Sequence, residues 1–180
     1  MKIIMDKIKY LVGSNKINKK TLPPYDDKIC SFVSQFSKQL EYSIKDKRYP
    51  DLKALAFWCR KKNILELKKK FISNSTRLAL GLVFHITPSN VPTNFAYSLM
   101  FGILTGNSNI VKVPSKNFEQ INLICEALNN TLKIKKYKLI KKMITIIRYK
   151  KNENFSQKVS KLCDARLVWG GDNTIKEIKK

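Results

Sequence analysis

The sequence predicts an α/β fold, an open and mostly parallel sheet with helices on both faces and a helical layer ahead of it. From Ile29 the apolar positions recur at the 3, 4 spacing of an amphipathic helix, and two further helices follow by about residue 71. Beyond it, short and continuously apolar runs alternate with helical stretches, the pattern of parallel strands joined by crossover helices. Between Leu78 and Val111, 34 residues hold no Lys, Arg, Asp or Glu in a chain whose formal net charge is +23. Such a stretch is expected to be buried. Yet Pro88, Asn90, Pro92, Gly106 and Asn107 punctuate it, and a packing core does not need them.

Residues 1–28 read as a short helix, a Lys/Asn-rich stretch and a turn at Pro23-Pro24. Ile29, Phe32, Val33, Phe36 and Leu40 then line one face of a helix. Tyr49-Pro50-Asp51 is a helix start, with proline and an acid in the first turn. That helix carries Leu52, Leu55, Ala56 and Trp58 to about Arg60, and a third runs from Ile64 to Phe71.

Leu80 to Ile86 reads as a buried strand, Pro88 to Pro92 as a loop, Asn94 to Leu104 as a helix capped by Gly106, and Asn109 to Val113 as a second strand. Strand, helix and strand in this order form a βαβ unit, which crosses over right-handed and makes its strands parallel. A helix from Phe118 to Leu128 leads to a third strand, Met143 to Arg148. Another, Phe155 to Leu162, leads to a fourth strand, Ala165 to Trp169, ending at Gly170-Gly171.

Composition narrows the function classes. The basic excess invites nucleic acid, but lysines are spread through nearly every polar segment, and a designed phosphate-binding patch would be more clustered. The densest cluster, Lys133 to Lys151, holds nine basic residues and no acid, and reads as a solvated helix face with its loop, or as a polyanion site. Cys30, Cys59, Cys125 and Cys163 form no CxxC motif, and with His85 the single histidine no metal site is expected. The first residues, MKIIMDKIKYLVG, carry charges inside their apolar stretch, unlike a signal peptide. A membrane-spanning helix needs about 20 continuous apolar residues, whereas two prolines and four asparagines break the uncharged run. A cytoplasmic location is expected.

In open α/β sheets ligands bind beyond the carboxyl ends of the strands. Three clusters fall at such ends. Between two prolines, Asn90 presents its amide from a stiff loop, as a preorganised oxyanion donor would, or as a local Asx-turn would. Lys112, Ser115 and Lys116 place two ammonium groups and a hydroxyl where a helix begins, a setting for ribose or phosphate, or are simply solvated. Gly170-Gly171 lets backbone approach a pyrophosphate closely, although no GxGxxG motif is present.

Together, the run GLVFHITPSNVPTNFAYSLMFGILTGNSNIVKVPSK resembles the coenzyme-binding region of the aldehyde dehydrogenase superfamily, where a Pro-x-Asn loop, a Gly-Asn turn and a Lys-x-Pro-Ser strand end recur in this order. Within that superfamily it looks like the LuxC-type acyl-CoA reductases, as do YPDLKALAFWCRKKN upstream and ARLVWGG downstream. The resemblance covers roughly residues 30–175. It implies a Rossmann-like coenzyme-binding domain over 77–180, a helical layer over 29–76 and a leading segment over 1–28. By the same resemblance Asn90 holds the thioester carbonyl oxygen, Ile86, Thr87, Pro88 and Ser89 line the nicotinamide side, and Lys112 and Ser115 hold the adenosine ribose and its phosphate. Gly170 and Gly171 flank the pyrophosphate. Lys116 stands where NAD-dependent relatives have a ribose-binding glutamate, which implies NADPH as coenzyme.

The implied reaction is reduction of a fatty acyl thioester to an aldehyde through an enzyme cysteine, with acyl-CoA or an acyl-protein as substrate. That cysteine belongs to a domain following the coenzyme domain in the family, and none of the four cysteines here matches it. The expectation is therefore a fragment that is inactive alone and takes its nucleophile from elsewhere, such as a separate chain, and that assembles as a homo-oligomer. A non-catalytic nucleotide-binding module and a basic nucleic-acid-binding protein are the alternatives.

Overall fold

A computed structural model describes residues 8–16, 18–44, 49–71, 76–88, 90–149, 153–171 and 175. Among the described residues five strands form one sheet in the order β1-β4-β3-β2-β5. They are β1 (Lys9–Val12), β2 (Leu82–Ile86), β3 (Ser108–Lys112), β4 (Ile144–Arg148) and β5 (Ala165–Val168). β2 runs parallel to both β3 and β5, β3 runs parallel to β4, and only β1 is antiparallel. The helices are α1 (Asp27–Ser43), α2 (Pro50–Trp58), α3 (Lys61–Phe71), α4 (Asn94–Leu104), α5 (Glu119–Leu132), α6 (Lys138–Lys141) and α7 (Glu153–Leu162), with a 3₁₀ turn at Lys135–Tyr137.

The predicted α/β class is thus observed, and each strand after residue 77 lies where its apolar run placed it. The amino-terminal segment differs. Residues 9–12 form an edge strand paired with Arg148 to Ile146, not part of a short helix. Ile8 and Tyr10 pack on one side of the sheet, while Leu11 and Val12 pack on the other. Apolar side chains pointing alternately to two faces suit a strand, and the β-bulge between Tyr10 and Val12 disturbs the alternation enough to hide it. The burial expected of the uncharged run also fails at its start, because Leu78 is 83% and Leu80 69% exposed.

α4 and α5 cover one face of the sheet, with α1 behind them. Ile29, Phe32, Val33, Phe36 and Leu40 of α1 are fully buried in the same cluster as Leu99, Ile103, Ile121, Ile124 and Leu128. Each such side chain contributes roughly 1.5–3 kcal/mol by leaving water, so this interior holds the helical layer to the sheet. Asp26 caps α1, its Oδ1 accepting from the Lys28 amide at 2.8 Å. On the opposite face Phe155 and Val159 of α7 pack on Leu82, Phe84, Ile86, Ile110 and Ile147.

The chain therefore steps from β2 through β3 to β4 along one face and returns by α7 across the other face to β5. The direction of winding reverses between β2 and β5. Loops leaving those two strands diverge there, and in open α/β sheets this is where a ligand sits.

α4 ends in a Schellman motif that sets the next strand. The Gly106 amide donates to Ile103 O at 2.8 Å and the Asn107 amide to Gly102 O at 3.0 Å. Gly106 has φ +84°, and a Cβ on it would meet Leu22 O at 2.0 Å. Only glycine fits.

Candidate functional site

The predicted residues occupy the carboxyl ends of three neighbouring strands. Ile86 closes β2 and is paired in register with Lys112 of β3 and Val168 of β5. Thr87 is almost buried, its hydroxyl donating to Lys112 O at 2.8 Å, so the first residue of the loop is bolted to the neighbouring strand. The Trp169 amide donates to Ile86 O at 2.9 Å. The exits of β2 and β5 are thereby joined at the point of reversal.

Farther out the residues open to solvent. Pro88 is half-buried and Asn90 exposed, and the Asn90 side chain makes no hydrogen bond with the described residues, so an Asx-turn does not account for it. Ser89 lies outside the described residues. Lys112 is half-buried with its ammonium 5.2 Å from the centre of the buried Tyr149 ring, and Lys116 is exposed, 5.3 Å from the centre of the Phe118 ring. Ser115, Gly170 and Gly171 are exposed as well. The helix expected after Gly171 falls mostly outside the described residues, though the Ile175 amide donates to Gly171 O at 3.1 Å, an α-helical i to i−4 bond.

Two features escaped the sequence reading. Arg148 ends β4 beside this mouth, and its Nη1 donates to Asn117 Oδ1 at 2.9 Å in the loop that carries Ser115 and Lys116. Its Nε and Nη2 are buried with no hydrogen-bond partner among the described residues. Orphaned guanidinium donors next to exposed lysines suit an anion. The basic residue at the strand end was visible, but counting it within the lysine cluster concealed its place.

The second is a polar file crossing the sheet interior. Trp169 Nε1 donates to Ser98 Oγ at 3.0 Å, Ser98 Oγ lies 2.7 Å from His85 Nδ1, His85 Nε2 lies 2.9 Å from Asn109 Oδ1, and Asn109 Nδ2 donates to Asn107 O at 2.6 Å. An indole only donates and a backbone carbonyl only accepts, so one proton arrangement satisfies the whole file. Asn109 Oδ1 accepts from His85 Nε2–H, and the Ser98 hydroxyl donates to Nδ1. Burial pulls His85 down to about pKa 4, against the opposing hydrogen bond with Asn109, so the ring is neutral near pH 7. Gly102 permits the file: a Cβ there would lie 2.0 Å from Asn109 Oδ1 and 3.0 Å from His85 Cε1.

No cysteine reaches the mouth. Cys30 and Cys59 are buried in the helical layer, Cys125 is buried in α5, and Cys163 precedes β5 at the opposite end of the sheet. Burial raises the thiol pKa of all four, Cys125 to about 12, which disfavours the nucleophilic thiolate. Among the described residues no group of three His, Cys, Asp or Glu could hold a metal ion, and no helix is long and apolar enough to cross a membrane.

Of the motifs that carried the resemblance, the Pro-x-Asn loop leaves β2 at the reversal of winding, the Gly-Asn turn closes α4 and the Lys-x-Pro-Ser run ends β3 beside it. The family model described as acyl-CoA reductase (LuxC) matches residues 23–180. The chain belongs to that family. The match takes in all of the helical layer and the sheet except β1, so the LuxC acyl-CoA reductase assignment covers every candidate site residue. No curated protein matches the sequence.

Proposed function

We propose that this LuxC-family chain supplies the coenzyme half of a fatty acyl thioester reductase that uses NADPH. The reading is carried by one observation: the loops leaving β2 and β5 are tied together at the reversal of winding, where Asn90, Gly170 and Gly171 are exposed. Gly170 and Gly171 would flank the pyrophosphate, and Ile86, Thr87 and Pro88 the nicotinamide side. Lys112 and Ser115 hold the adenosine ribose. Lys116, with the unpaired donors of Arg148 behind it, attracts the 2′-phosphate that separates NADPH from NADH.

The substrate is an acyl-CoA or acyl-protein thioester. A thiolate attacks its carbonyl carbon and expels the carrier thiolate, leaving the acyl group on the enzyme. Coenzyme held by Lys112, Ser115, Gly170 and Gly171 would supply the hydride that converts this second thioester to aldehyde and releases the enzyme thiolate. Asn90 donates its amide N–H to the carbonyl oxygen as negative charge develops there. The attacking thiol comes from outside the four cysteines of this chain, which are buried or at the wrong end of the sheet.

Titration with NADPH and NADH tests the coenzyme assignment. NADPH binds the more tightly, and Lys116→Glu weakens NADPH by at least about tenfold while sparing NADH. Equal binding of both coenzymes by the unaltered chain, or an unchanged NADPH affinity in Lys116→Glu, overturns it.

A further inference from the structure

A doubly wound sheet is normally packed with apolar side chains, because an imidazole, a hydroxyl or an amide in its interior loses its hydration. Here the file from Asn107 to Trp169 crosses β3, β2, α4 and the exit of β5, with His85 and Ser98 fully buried and Asn109 nearly so. α4 even gives up a side chain at Gly102, although glycine is a poor residue for a helix interior. None of these residues reaches the exposed mouth, so none touches coenzyme or substrate. Trp169 is the exception, 39% exposed and directly ahead of Gly170-Gly171.

The two ties on Trp169 show what the file accomplishes. Its amide is held by Ile86 O at 2.9 Å and its indole by Ser98 Oγ at 3.0 Å. Ser98 cannot swing away, because its own proton is committed to His85, whose far nitrogen is committed to Asn109. Two consecutive glycines have wide backbone freedom, and a residue fixed at both ends gives their turn a set starting direction.

We propose that Ser98 and His85 are positioning residues for the coenzyme mouth, acting through Trp169 to hold the Gly170-Gly171 turn in place for the dinucleotide. This rests on the coenzyme reading above. The file converts rigidity of the sheet interior into rigidity of an exposed turn, and coenzyme affinity depends on a hydrogen bond that coenzyme never touches.

A double-mutant cycle in NADPH affinity separates this from a structural role. Ser98→Ala weakens NADPH binding by about tenfold, the scale of one lost hydrogen bond, and Ser98→Thr, which keeps the hydroxyl, recovers most of it. Trp169→Phe, which keeps an aromatic ring and removes the donor, produces a similar loss. Adding Ser98→Ala to Trp169→Phe then weakens binding no further. Wild-type affinity in Ser98→Ala, or losses that multiply in the double variant, overturns the proposal.

A second readout needs no coenzyme. The chain has two tryptophans, so Trp58→Phe isolates the Trp169 emission. Ser98→Ala in that background shifts the emission to longer wavelength as the indole loosens into water, and an unmoved spectrum counts against the file as its anchor. If the unaltered chain binds neither NADPH nor NADH, the coenzyme reading itself falls, and this is seen before any variant is made.

Discussion

The two ends of the sheet are built in opposite ways. At the amino ends of the parallel strands, exposed backbone donors are tied down. Asn107 Oδ1 accepts from the Leu80 and Gly81 amides at 2.7 and 3.2 Å, and Asp164 Oδ2 accepts from the Leu82 amide at 2.8 Å while its Oδ1 meets Lys19 Nζ at 3.2 Å. The Ser108 hydroxyl donates to Lys20 O at 2.7 Å. That Leu82 bond, helped by Lys19, holds Asp164 below the usual carboxylate range. At the carboxyl ends Thr87, Asn117 and Trp169 are tied, but Asn90, Ser115, Lys116, Gly170 and Gly171 are open to solvent. The difference teaches which end of the sheet is closed by side-chain hydrogen bonds and which end keeps its polar residues exposed. Two asparagines differ with the end they occupy: Asn107 caps backbone amides, whereas Asn90 is exposed.

Substitutions at the two ends should separate stability from binding. The largest effect is expected at Gly106→Ala, where a positive φ and a 2.0 Å approach to Leu22 O combine to cost about 3 kcal/mol or more. Denaturant unfolding measures the loss, and the fraction still folded should bind NADPH normally. A stable Gly106→Ala protein would show that the amino-end turn is more pliable than its contacts indicate.

Acid should act through the file that joins the two ends. The unfolded chain protonates a histidine near its ordinary pKa of 6.5, whereas burial keeps His85 neutral down to about 4. Between those values the unfolded chain binds the extra proton, so stability is complete above pH 6.5 and falls as pH drops through the window. The loss amounts to about 3 kcal/mol. Unfolding free energies of the wild type and His85→Gln, compared across this range, isolate the effect. Parallel pH profiles in the two proteins would mean that His85 is not buried neutral.

The smallest stability effect belongs to the mouth. A Cβ on Gly171 meets nothing within 4 Å, so Gly171→Ala should change stability by less than about 0.5 kcal/mol. On the proposed coenzyme reading NADPH affinity should nevertheless fall by roughly tenfold, the methyl group standing where the pyrophosphate is proposed to approach. Calorimetric titration beside a thermal melt reads both numbers. A large drop in melting temperature with unchanged affinity would erase the contrast between the two ends.

Much of this was legible in the residues. The change from helical spacing to short apolar runs located β2 through β5, since a strand covered on both faces reads as a near-continuous apolar run. The mouth residues were legible because loops at strand ends are punctuated by proline, glycine and asparagine. β1 was not, because an edge strand with lysines and a bulge carries little periodicity, and its partner strand decides its conformation. Arg148 was read as one cation among many.

By itself the sequence determined the α/β class, the order of the parallel strands along the chain, the loop bearing Asn90 and, through its motifs, the LuxC family. Those properties are local, depending on spacing within one element or one turn. Only the tertiary structure decided that winding reverses between β2 and β5, that Trp169 is fixed through Ser98 and that His85 is neutral and interior. The partners in that file lie 71, 13 and 24 residues apart, and no local periodicity reports them. They are brought together by packing of α4 on the sheet, where each buried polar group must find its hydrogen bond or lose the stability its desolvation costs.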